Sequence, residues 1–446
     1  MDWLLRTLGL FAVRVFYRAI GVEGAGHIPE RGPVIVVANH PNGLVDPVLC
    51  RIALNRPIAF LAKSTFFGNP FGRWAMRAFD AIPVYRSRDN ADTSKNERTF
   101  EICGERLTRG GWISLFPEGT SHSDPTMRPL KTGAARIALK AEAAAGFELG
   151  LRILPVGLLY EDKEIFRTGA VVRVGVPMQV RGYAERYRTD DHDAVKALTN
   201  AIDEALSAVV LEADSRELWN GFLAVAAWTD PLAQQDVRAR EERARLLARA
   251  YHDLSLRDPA AADEVVSKAR RFARVLRAVG VENPYSIDPP LAPTVGAILR
   301  SFLSVILLAP IALLGIVLGV VPYRLIAFII ARWKNLDPDI TSSIKLLAGM
   351  VFFAVTYLAE AIVAGLFWGP VAAVAVFLLG PGTGFIAVRW MERLTLRREA
   401  IISWRLRASR AGLVEAIARR RAELCATVDR ELGGAGATPT ARPSPS

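Results

Sequence analysis

Cysteine is scarce in this chain: Cys50, Cys103 and Cys425 are the only three in 446 residues, and no two form a CxxC pair. That excludes a disulfide framework and a cysteine-rich zinc module, and it fits a reducing compartment. Histidine is sparse too, at five residues. His122 and Asp124 could chelate a metal, but no further His lies nearby, so the sequence calls for no metal. His27, His192 and His252 read as surface or capping residues. The first residues lack the basic start of a secretory signal, and Arg6, Arg14 and Arg18 interrupt the apolar stretch. No internal repeat is visible. Hydrophobic residues are not lacking: they make up 51% and exclude a largely disordered protein.

Charge is missing from two long stretches. Residues 301–323 carry none, and residues 346–388 carry one, Glu360. A membrane-crossing helix needs about 20 apolar residues. The first stretch suffices for one helix and the second for two, with Trp368-Gly369-Pro370 as a natural turn. The flanks are basic: Arg300; then Arg324, Arg332, Lys334 and Lys345; then ten Arg against four Glu over residues 389–423. The positive-inside rule places all three flanks in the cytosol. The expectation is an even number of crossings, with 346–388 a helical hairpin and 301–323 a re-entrant or shallow hairpin bent at Pro310. The Arg-rich segment adjoins a membrane run, so membrane lipids with anionic headgroups are its expected partner and no nucleic acid is. Gly380-Pro381-Gly382-Thr383-Gly384 resembles a phosphate loop but lies inside an apolar run, so it reads as a helix break or a close-packing patch. Glu360 either acts within its run or pairs with a neighbouring helix.

At the other end, residues 1–20 read as an interfacial amphipathic helix. Arg6, Arg14 and Arg18 cluster within about 120° of arc. Leu4, Leu5, Leu8, Phe11, Ala12, Val15 and Phe16 lie opposite. Packing of this helix on the following domain is the alternative, and both can hold.

Between these ends the pattern is α/β. Short apolar runs at 34–38, 81–84, 112–116, 153–159 and 171–176 read as buried strands, and helical patterns cover 68–79, 91–109 and 131–145. Such alternation implies a largely parallel sheet covered by helices, with active groups on loops at the strand ends. Residues 190–290 read as a charged helical region and linker, 389–432 as a basic helical tail, and 433–446 as disordered.

Two loop clusters carry chemistry. The first strand opens into Asn39-His40-Pro41-Asn42-Gly43-Leu44-Val45-Asp46. An Asp six positions after a strand-end His can fold back onto it, fix its tautomer and stabilise the imidazolium. The second is Phe116-Pro117-Glu118-Gly119-Thr120-Ser121, followed by Arg128, Lys131 and Gly133 ahead of a helix. Lys and Arg near a helix start suit an anion. Either cluster alone is nondescript. With Lys63, Phe71-Gly72, Ile82-Pro83-Val84-Tyr85-Arg86 and Ile153-Leu154-Pro155-Val156 they fall in one order over residues 20–185. In that order the chain resembles the glycerolipid acyltransferases, the phospholipid/glycerol acyltransferase superfamily. Five residues separate His40 from Asp46, where the commonest motif of that family has four. Five is the spacing of the branch of glycerol-3-phosphate and dihydroxyacetone-phosphate acyltransferases, which also carries hydrophobic segments after its catalytic domain.

The resemblance implies an α/β fold, a glycerol-3-phosphate acyltransferase-like mixed sheet with helices over residues 21–189, followed by a helical region and C-terminal membrane helices within 301–388. It implies His40 as general base oriented by Asp46. It further implies Arg86, Glu118, Gly119 and Thr120 as acceptor-binding residues, with Lys63, Arg128 and Lys131 as further phosphate candidates. The donor is an acyl thioester, acyl-CoA or acyl-carrier protein (acyl-ACP), and no other cofactor is needed. No GxSxG elbow surrounds Ser121 or Ser123, so no acyl-enzyme is expected. The expected activity is acyl transfer to glycerol 3-phosphate or dihydroxyacetone phosphate at a membrane, with the catalytic domain facing the cytoplasm. The alternatives are 1-acylglycerol 3-phosphate or another lysolipid as acceptor, or a non-catalytic membrane scaffold with a degenerate domain. Intact His40, Asp46, Arg86 and Glu118 argue against the scaffold.

Overall fold

A computed structural model describes residues 2–86, 89, 92–287, 295–332 and 338–432. The expected disorder of 433–446 falls outside these residues. The chain divides into two units, Met1–Leu223 with Val237–Ala248 and Asp337–Ser343, and Ala224–Asp236 with Arg249–Leu336 and Ile344–Ser446.

The first unit holds the sheet: β1 Ala19–Glu23, β2 Val34–Ala38, β3 Ile58–Lys63, β4 Ala81–Val84, β5 Trp112–Leu115, β6 Arg152–Tyr160, β7 Gly169–Val174 and β8 Met178–Gln179. Strand order is β1-β7-β6-β2-β5-β3-β4, with β8 beside β6. Neighbours are parallel except where β6 meets β7 and β8, so the sheet is mixed. The helices of this part are α1 Asp2–Phe16, α2 Val45–Leu54, α3 Pro70–Ala78, α4 Asn96–Thr108, α5 Gly133–Ala144, α6 Ala184–Thr189 and α7 Asp191–Ser207, and α8 Arg216–Thr229 begins in it. Every residue of β2 is buried, which is why that strand reads as an unbroken apolar run. Ile35, Val37 and Ile153 of the sheet pack with Ile137 and Leu139 of α5 and Leu198, Ile202 and Leu206 of α7 in one core.

Helix α1 packs on the domain with part of its apolar face. Val13 and Phe16 are buried, and the helix packs on α2 and α3. Leu8 and Phe11 remain exposed, Phe11 by 63%.

The later helices are α9 Pro231–Gln235, α10 Val237–Arg257, α11 Pro259–Val279, α12 Pro284–Ile287, α13 Val295–Arg332, α14 Pro338–Trp368, α15 Pro370–Ser409 and α16 Ala411–Glu431. Among the described residues three segments are long and apolar enough to cross a membrane: Leu303–Arg332, Ser343–Trp368 and Pro370–Thr395. The expected turn falls in place, since α14 stops at Trp368 and α15 starts at Pro370, with Gly369 at φ 86 between them. The expected bend at Pro310 is corrected: α13 runs unbroken through Pro310 and Pro322. Residues 380–384 do not break α15 either. Gly380 and Gly384 let the Tyr357 ring of α14 approach, and a Cβ on Gly315 of α13 would stand 2.1 Å from the Thr383 carbonyl oxygen. The Trp390 indole N–H donates to the Val305 carbonyl at 2.8 Å. Pairing 305 with 390 and 315 with 383 makes α13 and α15 antiparallel where they touch.

Candidate active site

Strands β6, β2, β5, β3 and β4 lie side by side and parallel, so their carboxyl ends share one edge of the sheet. Ligand sites of such sheets form at that edge. Along it stand Tyr160 at the end of β6, His40 just past β2, Glu118 just past β5, Lys63 at the end of β3, and Arg86 just past β4.

His40 and Asp46 are joined directly: Nδ1 lies 2.8 Å from Oδ2. The intervening turn uses Gly43 at φ 38, and Asp46 sits in the first turn of α2. Asp46 is fully buried and receives two further bonds. The Asn42 N–H donates to Oδ2 at 2.8 Å, and the Tyr160 hydroxyl donates to Oδ1 at 2.5 Å. A carboxylate only accepts, so Nδ1 carries the imidazole proton and Nε2 keeps its lone pair. Among the described residues no group hydrogen-bonds to Nε2. The ring is stacked on Phe116, with centroids 4.0 Å apart and planes 9° apart. The side chain is 17% exposed. The ring is thus fixed from one face and one edge and open at its basic nitrogen.

Glu118 is buried and occupied on both oxygens. Oε1 accepts the His40 N–H at 2.8 Å; Oε2 accepts the Arg128 N–H at 3.0 Å and the His122 ring Nε2. The His122 N–H in turn donates to the His40 carbonyl at 3.1 Å. Glu118 therefore ties the β2 loop to the β5 loop. Lys163 does the same from outside: its buried ammonium donates to the Pro41 carbonyl at 2.5 Å and to Ser123 Oγ at 2.7 Å.

Three expected residues meet beside this pair. Arg86 donates from Nη1 to the Gly119 carbonyl at 2.8 Å, and its Nε and Nη2 hold Asp89 at 2.7 Å. Gly119 is left-handed (φ 73), and a Cβ there would strike Lys131 Nζ at 2.8 Å. Arg86, Gly119 and Lys131 thus form one basic corner. Arg128 joins it only through its main chain, its guanidinium turning to Asp124 at 2.7 Å. Lys63 stands over the Phe66 ring at 4.6 Å, and the Thr120 hydroxyl donates to the Ser121 carbonyl at 3.1 Å.

Sequence reasoning missed Tyr160, Lys163 and Tyr17. The Tyr17 hydroxyl accepts from Asn42 Nδ2 at 2.8 Å, and its ring lies 5.3 Å from that of Tyr160. Tyr160 follows the predicted strand 153–159 directly, so the strand-end rule could have found it; nothing in the sequence marks Lys163. Burial, and then the negative charge of Asp46, push the Tyr160 hydroxyl well above its usual pKa, which keeps it a neutral donor. Cys50 lies one turn after Asp46, and burial with the Asp46 charge pushes its thiol up. Burial likewise pushes Cys103 up to about 12. Neither thiol is placed to be a nucleophile. Among the described residues no group of three or more His, Cys, Asp or Glu could hold a metal ion.

The acyltransferase family model matches residues 19–159, which include both loop clusters and Arg86. The chain is similar to an uncharacterized acyltransferase of Schizosaccharomyces pombe, 26% identical over 302 residues, 48% of this chain and 44% of that protein. It is 35% identical over 148 residues to glycerol-3-phosphate O-acyltransferase 2 of Saccharomyces cerevisiae, 33% of this chain and 20% of that one. A chloroplastic 1-acyl-sn-glycerol-3-phosphate acyltransferase of Arabidopsis thaliana is 28% identical over 156 residues, 35% of this chain and 39% of that one. The chain matches less than half the length of each of these curated relatives. Residues 19–159 are an acyltransferase domain, similar in sequence to the same domain of glycerolipid acyltransferases.

Proposed function

We propose that this chain is a membrane-bound O-acyltransferase that acylates glycerol 3-phosphate or dihydroxyacetone phosphate, with His40 as general base and Asp46 as its orienting partner. The observation that carries this reading is the His40–Asp46 pair at 2.8 Å, with Nε2 left open at the carboxyl edge of the sheet. An alcohol is a poor nucleophile at neutral pH and needs a base; a thioester is already an activated donor. His40 Nε2 takes the hydroxyl proton as the oxygen attacks the thioester carbonyl. The tetrahedral intermediate then collapses, the carbon–sulfur bond breaks, and the imidazolium returns the proton to the leaving thiolate. Asp46 stabilises the imidazolium in between. Such general-base assistance is worth about 10²–10⁴ in rate.

Arg86 and Lys131, beside Gly119, are assigned to the acceptor phosphate, for which the planar fork of Arg is suited. Lys63 and Arg128 are secondary candidates, and Thr120 offers a hydroxyl at the same loop. Glu118 is given a positioning role: it is buried, and its bonds hold the His40 main chain and the Arg128 main chain. The basic flanks of the apolar helices support a catalytic domain on the cytoplasmic side.

The second acceptor reading, 1-acylglycerol 3-phosphate, is supported by the similarity to the Arabidopsis enzyme; the five-residue spacing from His40 to Asp46 favours the first. An acceptor panel with one labelled acyl-CoA, scored by lipid product, decides between them. The expected product is a monoacylated glycerol or dihydroxyacetone phosphate. Product only from lysolipid acceptors would overturn the assignment in favour of the second.

A further inference from the structure

The second unit contains a cleft whose chemistry no part of the acyl-transfer reading uses. Helix α11 begins at Asp258-Pro259, where the Asp258 side chain caps the Ala261 N–H at 3.1 Å, and ends at Gly280 in the left-handed region (φ 70). It lies antiparallel to α16. Lys268 Nζ donates to Thr427 Oγ1 at 2.8 Å, while Glu264 faces Arg430 at 3.8 Å. Between the two helices opens a cavity of about 490 Å³, within the size range of small-ligand sites.

Its lining is divided by character. Phe272, Val275 and Leu424 supply an apolar floor, and Phe272 is 1% exposed. Arg271, Arg274 and Arg420 supply the rim. Glu423 is the one carboxylate in the lining, and the fourth cation, Lys268, is neutralised by Glu264 at 2.6 Å. Elsewhere on these helices Arg419 is paired with Glu415, and Arg430 with Glu264 and Glu431. The rim arginines are not. Arg271 hydrogen-bonds to the Ser267 hydroxyl at 3.1 Å and feels Glu264 through space, without an ion pair to it. Arg274 and Arg420 have no hydrogen bond or ion pair among the described residues. Three guanidinium groups facing one cavity repel one another unless an anion joins them.

We propose that this cleft binds the phosphate headgroup of an anionic phospholipid, the arginines taking the phosphate oxygens and the apolar floor taking the first carbons of the lipid. The floor is what selects a lipid over free phosphate, which would leave it wet. Continuity supports a lipid source. Helix α16 follows α15 across Arg410 alone, and α15 carries the apolar segment Pro370–Thr395 in the same unit. The proposal is independent of the chemistry assigned to His40.

The test uses the full chain in nanodiscs of phosphatidylcholine, with and without phosphatidate, and follows hydrogen–deuterium exchange of residues 268–278 and 420–424. Phosphatidate should slow exchange in both segments. Replacing Arg274 and Arg420 by Gln should weaken that protection about fivefold per arginine, with protection over residues 116–131 unchanged. Glu423→Gln, which removes the single carboxylate, should strengthen protection. Equal protection in the arginine variants, none in the unaltered chain, or as much protection from inorganic phosphate in pure phosphatidylcholine discs would each overturn the proposal. Protection confined to 116–131 would also overturn it, since the lipid would then be in the acyltransferase domain.

Discussion

At the scale of single residues, the site is a set of side chains whose bonds leave one imidazole nitrogen unused. Asp46 receives three donors, and the hydroxyl of Tyr160 is the shortest of them at 2.5 Å. Removing it leaves a buried carboxylate oxygen without a partner, a loss of about 1.5–3 kcal/mol for a bond to a charged group. Tyr160→Phe is therefore expected to lower kcat by roughly tenfold or more, with KM for the acceptor nearly unchanged, because the hydroxyl touches Asp46 and no substrate. A raised KM with unaltered kcat would contradict this positioning role. The His40–Asp46 pair was legible because six residues and a Pro-Asn-Gly turn close it locally. Tyr160 and Lys163 reach the same loop from 114 and 122 positions away, distances over which sequence pattern carries no information about contact. Glu118 was legible as a loop carboxylate, but its burial was not, since its donors are main-chain and His122 groups assembled by the fold.

At the scale of elements, the buried strands declared themselves as unbroken apolar runs, and β2, β4, β5, β6 and β7 all fall where those runs lie. β3 did not: Ile58-Ala59-Phe60-Leu61-Ala62 is rich in Ala and suits either period. Edge strand β1 is held from outside the sheet by an ionic cluster. Arg173 of β7 pairs with Glu23 of β1 and, at 2.5 Å, with Glu241 of α10; Glu242 and Arg245 lie in the same field. Burial, only partly offset by Arg173, pushes Glu23 up to about 7. Between the ordinary carboxylate value and that pH the folded chain binds more protons than the unfolded one, so stability falls as pH rises through this window. Glu23→Gln should flatten the fall of Tm between acid and neutral pH; an unchanged slope would contradict it. The membrane helices carry a second expectation. Three successive crossings would make α13 and α15 parallel, yet they are antiparallel where Val305 meets Trp390 and Gly315 meets Thr383. Residues 300 and 410 should then lie on one face of the membrane. Arg300→Cys and Arg410→Cys, in a background lacking Cys425, should label with an impermeant maleimide from the same side; labelling from opposite sides would contradict this.

At the scale of the whole molecule, the net charge of +11 and the apolar excess are distributed rather than general. Cations gather in α1, at the ends of the apolar helices and along α15 and α16, while Leu303–Arg332, Ser343–Trp368 and Pro370–Thr395 hold the apolar excess. The chain is a membrane protein with an acyltransferase domain, and both features suit a reaction whose products are anionic lipids. The central claim is that His40 deprotonates an acceptor hydroxyl. It is tested most directly by thiol release from acyl-CoA in membranes holding either the unaltered chain or His40→Ala. The account predicts release only when glycerol 3-phosphate is added, and a fall of about 10²–10⁴ in His40→Ala with the variant still folded and membrane-bound. Near-normal, acceptor-dependent release from His40→Ala would contradict it.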